Sequence, residues 1–280
     1  MSDTVAFYGA GMLGSGFVQA LRRRGVPVRV WNRTFEKAKA LESTGAQAFE
    51  SAADAARGAT RVHLCLRDDE AVEGVLAAAL PGIAKDAPII DHTTTSPRGA
   101  ADRAERFARD GRQFVHAPVF MGPQNALEST GLMMISGDPE LAERLRPLLE
   151  PMTGKVWYVG ERADGAAVRK LLGNAMILAV IGGMRDAFAI AQRNGLDRES
   201  AYGLFAHFNP GAQIQGRGKR MAEGDYEPTW TLEMAHKDAR LMLESAGGAS
   251  LPVLEAVEAE LRAAMERDLG AKDLAAIAEL

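Results

Sequence analysis

The chain has 280 residues, of which 47% are hydrophobic and 25% charged, a balance typical of a globular protein with one large or two ordinary domains. Its net charge of −4 argues against nucleic-acid binding as the main role, because neutralising phosphates requires a basic surface. The single cysteine, Cys65, excludes an intrachain disulfide and a zinc site built from cysteines, and it favours a reducing compartment, for which we expect the cytoplasm.

The first half of the sequence alternates strand-like and helical patterns. Strands are predicted at Val5–Tyr8, Pro27–Trp31, Arg61–Leu66, Pro88–His92, Gln113–His116, Leu132–Ser136 and Val156–Tyr158. Helices are predicted at Leu13–Arg24, at Glu36–Ser43 and after Pro97, which suits the first position of a helix. This alternation predicts βαβ units and a mainly parallel sheet.

After Gly160 the sequence shows only helical periodicity. A long helix is predicted from about Asp164 to Asn194, where Gly195 ends it. Further helices are predicted at Arg198–Phe208, Gln213–Glu223, Leu232–Gly247, Val253–Arg267 and Asp273–Leu280. The sequence therefore predicts an α/β domain over residues 1–160 and an all-α domain over residues 161–280, joined by the long helix.

Neither a signal peptide nor a membrane span is expected. Met1–Thr4 lacks the basic start of a signal peptide, and no long apolar region follows it. The longest apolar run, Ala175–Met184, has about ten residues, whereas a membrane span needs about 20. We expect this run to be part of a buried helix.

Residues 9–14 read Gly-Ala-Gly-Met-Leu-Gly, which is the G-x-G-x-x-G spacing between a predicted strand and a predicted helix. Gly9 permits a tight turn, Gly11 lets a pyrophosphate approach the backbone, and Gly14 lets the helix pack on the strand. A tight turn without a ligand is the alternative interpretation. The predicted dinucleotide contacts here are Gly9, Gly11, Met12, Leu13 and Gly14.

Asn32, Arg33 and Thr34 follow the second predicted strand, where NAD enzymes usually have an acidic residue that binds the ribose 2′-hydroxyl. Arg33 can bind a phosphate through its fork of donors, Thr34 adds a hydroxyl, and Lys37 lies one turn further on. The sequence therefore predicts NADP(H) rather than NAD(H). The alternative is that Arg33 is only solvated.

The sequence resembles the β-hydroxyacid dehydrogenases over essentially its whole length. Besides residues 9–14, the resemblance depends on Asp-His-Thr-Thr-Thr-Ser-Pro at 91–97, Ala-Pro-Val at 117–119, and Lys170-x-x-x-Asn174 with a later Lys237-Asp238. The resemblance implies a Rossmann-type N-terminal domain and hydride transfer between a nicotinamide and a small carbonyl or alcohol substrate. It also implies a homodimer or homotetramer.

The resemblance further implies that Lys170 is the general acid or base and that Asn174 orients the substrate. The two residues are four apart, so they share one face of a helix. Burial would lower the pKa of Lys170 towards neutrality and make it a usable proton donor. The alternative is that Lys170 extends to solvent and Asn174 caps a neighbouring element.

Strand ends supply the other predicted contacts. Thr93 stands where the family usually has serine, and we predict a catalytic and substrate-binding role for it. Thr94, at the same strand end, and Leu66 and Arg67, after the third strand, are predicted to contact the cofactor. Lys237 matches a family lysine near the cofactor, and its alternative is a surface Lys–Asp pair. The threonines could instead be a helix-capping cluster.

Phe120, Met121 and Gly122 stand where the family usually has Ser-Gly-Gly, which holds a substrate carboxylate. We expect these three residues and Trp230 to line a more apolar substrate pocket that is less suited to a carboxylate. This favours an alternative function, an imine reductase or reductive aminase, although the retained Lys170 argues against it.

A second alternative is a non-catalytic NADP-binding module, but related chains of that kind tend to lose the lysine. The five histidines show no metal-ligand spacing, so no metal site is predicted. We therefore expect an NADP(H)-dependent oxidoreductase acting on a small carbonyl, alcohol or imine, with neither nucleic acid nor membrane as a partner.

Overall fold

The computed structural model describes residues 3–280. The chain forms two compact units, of which the first ends at Asn174 and the second covers Ala175–Leu280. The division falls inside the long helix, on the carboxyl side of the boundary that the sequence predicts after residue 160. Each unit therefore contains part of that helix.

A six-stranded, all-parallel sheet forms the centre of the first unit; its parallel arrangement is as predicted, but the short strand at Gln47–Phe49 was not predicted. Its strands are β1 (Val5–Tyr8), β2 (Val28–Trp31), β3 (Gln47–Phe49), β4 (Arg61–Leu64), β5 (Ile89–Asp91) and β6 (Phe114–His116). They lie in the order β3-β2-β1-β4-β5-β6. The order reverses at β1, so the carboxyl ends of β1 and β4 flank the crevice where open parallel sheets bind ligands.

A separate three-stranded sheet contains β7 (Val119–Phe120), β8 (Leu132–Ile135) and β9 (Lys155–Tyr158). The predicted strands at Leu132–Ser136 and Val156–Tyr158 therefore lie outside the main sheet. The two-residue β7, which runs antiparallel to β8, is too short to show a pattern of alternation in the sequence.

Seven helices flank these sheets in the described part of the first unit: α1 (Met12–Arg23), α2 (Phe35–Lys39), α3 (Ala52–Ala56), α4 (Asp69–Ala79), α5 (Pro97–Arg109), α6 (Pro123–Glu128) and α7 (Pro139–Leu149). The sequence analysis missed α3, α4, α6 and α7. Capping residues could have revealed three of them, since Ser51, Asp68 and Asp138 each accept a first-turn N–H of the helix that follows.

Apolar side chains on both faces of the main sheet form the core of this unit. On one face Phe7 of β1 packs with Phe17 of α1. On the other face Leu64 of β4 packs among residues that include Leu76 of α4 and Phe107 of α5. The valines and isoleucines of the main sheet are nearly fully buried, as expected for a parallel sheet covered on both sides, whereas Trp31 of β2 and Phe49 of β3 are partly buried.

The remaining helices are α8 (Gly165–Arg193), α9 (Arg198–Gly203), α10 (Ala212–Gln215), α11 (Arg217–Glu223), α12 (Leu232–Ser245) and α13 (Pro252–Glu266). Three predicted helices differ in detail. The one predicted at Arg198–Phe208 tightens into a 3-10 turn after Gly203, and the one predicted at Gln213–Glu223 breaks at Gly216, both residues of poor helix propensity. The last, after Asp273, is a 3-10 helix at Leu274–Glu279.

The central part of α8 is exposed, and the prediction that Ala175–Met184 is buried is wrong for the single chain. Met176, Ile177, Leu178, Val180 and Ile181 are each at least half exposed, with Leu178 at 72%. By length and composition alone, α8 could also cross a membrane, a test that core helices of soluble proteins pass as well. The sequence pattern specifies an apolar helix, but it does not say which surface covers it.

In the second unit, Asp273 joins three segments through a fully buried carboxylate. It accepts hydrogen bonds from the backbone of Thr229, Trp230 and Ala275, at 2.9–3.2 Å, and it pairs with Arg220 at 3.2 Å. Burial by itself would raise the pKa of Asp273, but these hydrogen bonds outweigh burial and hold the pKa far below its ordinary value.

We expect Asp273→Asn to lower the free energy of unfolding by about 3 kcal/mol, because the change removes a buried charge from arginine partners that stay in place. Because the pKa of the carboxylate is depressed in the folded state, its contribution is full above the unfolded pKa of about 3.9 and is lost as pH falls below it. Urea unfolding at pH 7 and at falling pH measures both effects.

Asp225→Asn is the matched control, since this exposed carboxylate also pairs with Arg220 and its loss should cost less than about 1 kcal/mol. Equal losses of stability in the two variants would contradict the central role of Asp273.

Candidate active site

A cleft of about 740 Å³ lies in the first unit, at the carboxyl ends of β1, β2 and β4. Ten residues predicted to bind the cofactor line it: Gly9, Gly11, Met12, Leu13, Gly14, Asn32, Arg33, Thr34, Leu66 and Arg67. The other two, Thr94 and Lys237, do not line it. The structure therefore brings the glycine turn, the end of β2 and the end of β4 to one place.

The glycine turn is packed too closely for side chains at two positions. A Cβ on Gly9 would lie 2.1 Å from the carbonyl oxygen of Cys65, and one on Gly14 would lie 2.0 Å from that of Gly9. Gly9 also has a φ of +106°, which favours glycine. At Gly11 a Cβ would meet nothing within 4 Å, so this position opens onto the cleft.

Asn32 braces the turn rather than presenting a free side chain. Its Oδ1 accepts a hydrogen bond from the backbone N–H of Ala10 at 3.0 Å, and its Nδ2 donates to the carbonyl of Thr34 at 2.8 Å. Arg33 and Lys37, also on the cleft, make no ion pair among residues 3–280. The charges beside Asn32 are thus available to a ligand.

The opposite wall comes from the end of β4 and from α4. Exposed Arg67 pairs with Asp68 at 2.6 Å, and Asp68 in turn caps α4 by accepting the N–H of Ala71. Residues missed by the sequence analysis complete the lining: Trp31, Cys65, Glu70, Ala71, Gly74, Val75 and Pro123. Most of the missed residues belong to α4, whose acidic start after Asp68 could have been recognised.

The lining fits a phosphate-bearing dinucleotide. The N-cap of α1, Gly11, offers no side chain to satisfy the first N–H groups of the helix, and these groups lie at the cleft. Free N–H groups and the positive end of a helix dipole bind phosphate. Arg33 and Lys37 add two cations at the end of β2, which is where the ribose of a dinucleotide lies in this fold.

The loop after β5 holds the predicted threonines, and it orients them differently. Thr93 is buried, and its hydroxyl accepts a hydrogen bond from the backbone N–H of Leu66 at 3.0 Å. Thr94 is exposed and makes no side-chain hydrogen bond among the described residues. Thr93 thus joins the ends of β4 and β5, and Thr94 is the residue whose hydroxyl is free to meet a ligand.

Buried polar side chains fix the backbone of this loop through hydrogen bonds to Thr93. Asp91 accepts the N–H of Thr93 at 2.9 Å, and His116 donates from Nε2 to the carbonyl of Thr93 at 2.9 Å. Since a carbonyl only accepts, Nε2 of His116 carries the proton. Burial lowers the pKa of His116, which keeps the ring neutral, and raises the pKa of Asp91.

Buried Arg103 extends this support to the start of α4. It pairs with Asp69 at 2.9 Å and lies 4.0 Å from Asp91. Asp69 in turn accepts the backbone N–H of Ser96 at 2.8 Å. The Thr93–Ser96 loop is therefore fixed at both ends relative to the cofactor cleft.

Lys170 lies on α8 with its ammonium 4.1 Å from the centre of the Phe120 ring. It has neither a hydrogen bond nor an ion pair with any other residue that the structure describes. Burial lowers the pKa of Lys170 from its ordinary value. Asn174, one turn further on, is partly buried, and its side-chain amide likewise makes no hydrogen bond in the described chain. The predicted pair thus has free donors and acceptors for a ligand.

The segment at 120–123 leads from Lys170 to the cofactor cleft. Phe120 contacts the lysine, Met121 is partly buried, and Pro123 lines the cleft. The N–H of Gly122 donates to Oδ1 of Asn125 at 2.9 Å, so it is not free to bind a substrate carboxylate. Residues 120–123 themselves therefore offer few hydrogen-bond donors to a substrate.

Two predicted residues lie in the second unit. Lys237 is exposed and pairs with its neighbour Asp238 at 2.7 Å. Trp230 is 37% exposed, with Arg217 5.2 Å from the centre of its ring. Nothing in the arrangement of this unit by itself gives either residue a role in catalysis. No group of three or more potential metal ligands occurs within residues 3–280.

Two family models together cover nearly the whole chain. The NAD binding domain of 6-phosphogluconate dehydrogenase matches residues 4–160. The NAD-binding domain of NADP-dependent 3-hydroxyisobutyrate dehydrogenase matches residues 164–280. The first match covers more than half of the chain and includes the glycine turn and the Thr93–Ser96 loop.

Similar proteins agree with these models. Glyoxylate/succinic semialdehyde reductase 1 of Arabidopsis thaliana is 26% identical over 98% of this chain and 97% of its own length. An imine reductase from Pseudomonas sp. has the same fold, with a TM-score of 0.91 at 20% identity over 100% and 99% of the two chains. A reductive aminase from Aspergillus terreus, in complex with NADPH and ethyl-5-oxohexanoate, has a TM-score of 0.89 at 21% identity over 99% and 98%.

The predicted resemblance and the predicted fold are thereby confirmed. Both family models are nicotinamide-dinucleotide-binding domains, and together they span the two units described above. The glycine turn, the open helix N-terminus and the cleft provide the site that such a cofactor requires. The chain belongs to the β-hydroxyacid dehydrogenase family and is an NAD(P)-dependent oxidoreductase of that type.

Proposed function

We propose that the chain reduces a small carbonyl compound with NADPH, or oxidises the corresponding alcohol, using Lys170 as the general acid or base. The observation that carries the proposal is the environment of the Lys170 side chain. It is half-buried, it has no carboxylate partner among the described residues, and it lies one helical turn from Asn174. A buried ammonium without a counter-ion is a strong proton donor.

The proposed preference for NADP(H) is supported by the end of β2. Arg33 and Lys37 supply two unpaired cations there, and Asn32 replaces the carboxylate that would repel a 2′-phosphate. The Aspergillus reductive aminase, whose structure contains NADPH, is a relative in fold. The dinucleotide, when bound, supplies the hydride that a carbonyl carbon accepts.

The protein side chains would transfer the proton and orient the substrate. The ammonium of Lys170 donates a proton to the oxygen as it becomes an alkoxide, and the neutral amine recovers a proton from water. Asn174 hydrogen-bonds the same oxygen and fixes its direction. Thr94 offers a free hydroxyl at the end of β5, whereas Thr93 holds the loop that carries it.

An imine or iminium substrate is the second candidate. The apolar Phe120 and the occupied N–H of Gly122 favour a substrate without a carboxylate, which an imine satisfies. A protonated iminium, however, would be repelled by the cationic Lys170. A non-catalytic NADP-binding module is the third candidate, and the retained lysine argues against it.

We further propose that a second copy of the chain covers the exposed face of α8. Leu178 and Ile181 are 72% and 64% exposed one turn apart, and Leu171, which is 42% exposed, lies two turns before Leu178 on the same face of α8. An exposed apolar stripe of this length is characteristic of an interface between subunits. A homodimer is therefore the smallest proposed assembly, and a homotetramer is the larger one. The cytoplasm stays the proposed compartment, in keeping with the unpaired Cys65.

We expect Lys170→Ala to lower carbonyl turnover by about 10²–10⁴-fold, because it removes the proton donor. NADPH oxidation at 340 nm should be followed with glyoxylate, succinic semialdehyde, neutral aldehydes, cyclic imines and ketone–amine pairs. The exposed Lys155→Ala variant is the control, and NADPH affinity should be unchanged in both. Imine turnover without carbonyl turnover would establish the second candidate, and tight NADPH binding without any turnover would favour the third.

We expect Arg33→Ala to weaken NADPH binding by about 10–100-fold while changing NADH binding little, because it removes a charged partner of the 2′-phosphate alone. Fluorescence titration of the reduced cofactors measures both affinities. Arg57→Ala, an exposed arginine that does not line the cleft, is the control. Equal losses for NADPH and NADH would contradict the proposed preference.

We expect the wild-type chain to sediment as a dimer or tetramer, and the double variant Leu178→Glu and Ile181→Glu to sediment as a monomer. Burying two carboxylates without partners would cost more than the interface gains. Analytical ultracentrifugation measures the mass, with the exposed Lys39→Glu as the charge-changing control. A monomeric wild type, or one that pellets with phospholipid vesicles, would contradict the assembly.

A further inference from the structure

The ring of Phe120 is the one described partner of the Lys170 ammonium. The nitrogen lies 4.1 Å from the ring centre, and no carboxylate of residues 3–280 pairs with it. In most proteins a buried lysine is neutralised by an acid or loses its proton. Here an aromatic face, which attracts a cation without accepting its proton, takes the place of the acid.

The ring is held in this position by the backbone of α8. A Cβ added to Gly173 would lie 2.2 Å from Cζ of Phe120, so the ring rests directly against the helix at this residue. Gly173 and Lys170 are three apart and therefore lie on the same face of α8. The ring of Phe120 therefore contacts both Gly173 and Lys170 on this face of α8.

Two other donors near Phe120 are already in use. The N–H of Gly122 donates to Oδ1 of Asn125 at 2.9 Å, and Nδ2 of Asn125 donates to the hydroxyl of Thr130 at 2.9 Å. A carboxylate beside Phe120 would find no hydroxyl on that residue and no free N–H at Gly122. The cation in contact with Phe120 is the ammonium of Lys170, so a carboxylate there would compete with the carbonyl oxygen for it.

We propose that Phe120 is the positioning residue for Lys170 and that, by the same contact, it restricts the substrates to neutral aldehydes and ketones that lack a carboxylate. This inference rests on the proposed function, since it assumes that Lys170 is the proton donor. Phe120 holds the ammonium cationic and directed at the carbonyl oxygen. Its ring and Met121 then provide an apolar wall for an uncharged substituent.

Two substitutions separate the contribution of the aromatic face from that of access. Phe120→Leu keeps an apolar side chain but removes the attraction for the ammonium, so it should lower the pKa of Lys170. Phe120→Ser admits water and restores a hydroxyl, so it should raise that pKa and lower KM for glyoxylate and succinic semialdehyde.

The pH dependence of kcat for reduction of a neutral aldehyde is the first measurement. Since reduction requires the ammonium, kcat falls as pH rises through the pKa of Lys170. The alkaline limb should move about one pH unit lower in Phe120→Leu and should move higher in Phe120→Ser. Phe49→Leu, which removes a ring 4.0 Å from Arg29, is the matched control and should leave the limb unchanged.

The second measurement does not depend on turnover. The pH dependence of acetylation of Lys170 by limiting acetic anhydride, followed by mass spectrometry, reports the pKa of its amine directly. pKa values that rise in the order Phe120→Leu, wild type, Phe120→Ser support the contact even if the substrate panel gives no activity. Identical labelling curves in the wild type and the two variants would overturn the positioning role.

The two proposals fail in different ways. If Lys170→Ala retains full activity, the proposed function fails whatever the labelling shows. If Lys170→Ala is inactive but wild type and Phe120→Ser have the same ratio of kcat/KM for aldehyde acids to that for neutral aldehydes, only the proposed restriction by Phe120 is overturned.

Discussion

The close approach of three backbone segments at the β1–α1 turn is the constraint on which the first unit depends. The carbonyl of Cys65 occupies the place where a side chain on Gly9 would be, and the carbonyl of Gly9 does the same for Gly14. Because β4 follows β1 in the sheet, this contact sets the end of β4 directly beside the start of α1. At Gly11 the backbone faces the cleft without a side chain, which leaves room there for a ligand.

The end of β4 also contacts the Thr93–Ser96 loop, through the side chain of Thr93. The N–H of Leu66 bonds the hydroxyl of Thr93, whose own backbone is held by Asp91 and His116. Buried polar groups are costly unless they are paired, so this network can exist only in one arrangement of the loop. Of the three threonines in the loop, only Thr94 is exposed, and Thr93 and Thr95 are buried.

The sequence predicted most of what depends on local pattern, although the capped helices α3, α4 and α7 were missed, and it did not predict what depends on packing. The glycine turn and the end of β2 are each short runs of sequence with a recognisable pattern. Ten of the twelve residues predicted to contact the cofactor line the cleft. The direction of the Thr93 hydroxyl could not be predicted, since it depends on β4 and β5 lying side by side. The exposure of α8 was predicted wrongly for the same reason, because periodicity identifies an apolar face but not its partner.

Replacing a serine by Phe120 changes the physics of the site more than its volume. A hydroxyl recognises an anion by donating to it, whereas an aromatic face attracts a cation and gives an anion nothing. The fold keeps Lys170 in place, so the cation that the ring selects is the enzyme's own. Gly173 completes the exchange, because any larger residue there would displace the ring from the lysine. On the roles proposed for Phe120 and Lys170, one family scaffold would change from binding acids to excluding them while keeping the same proton donor.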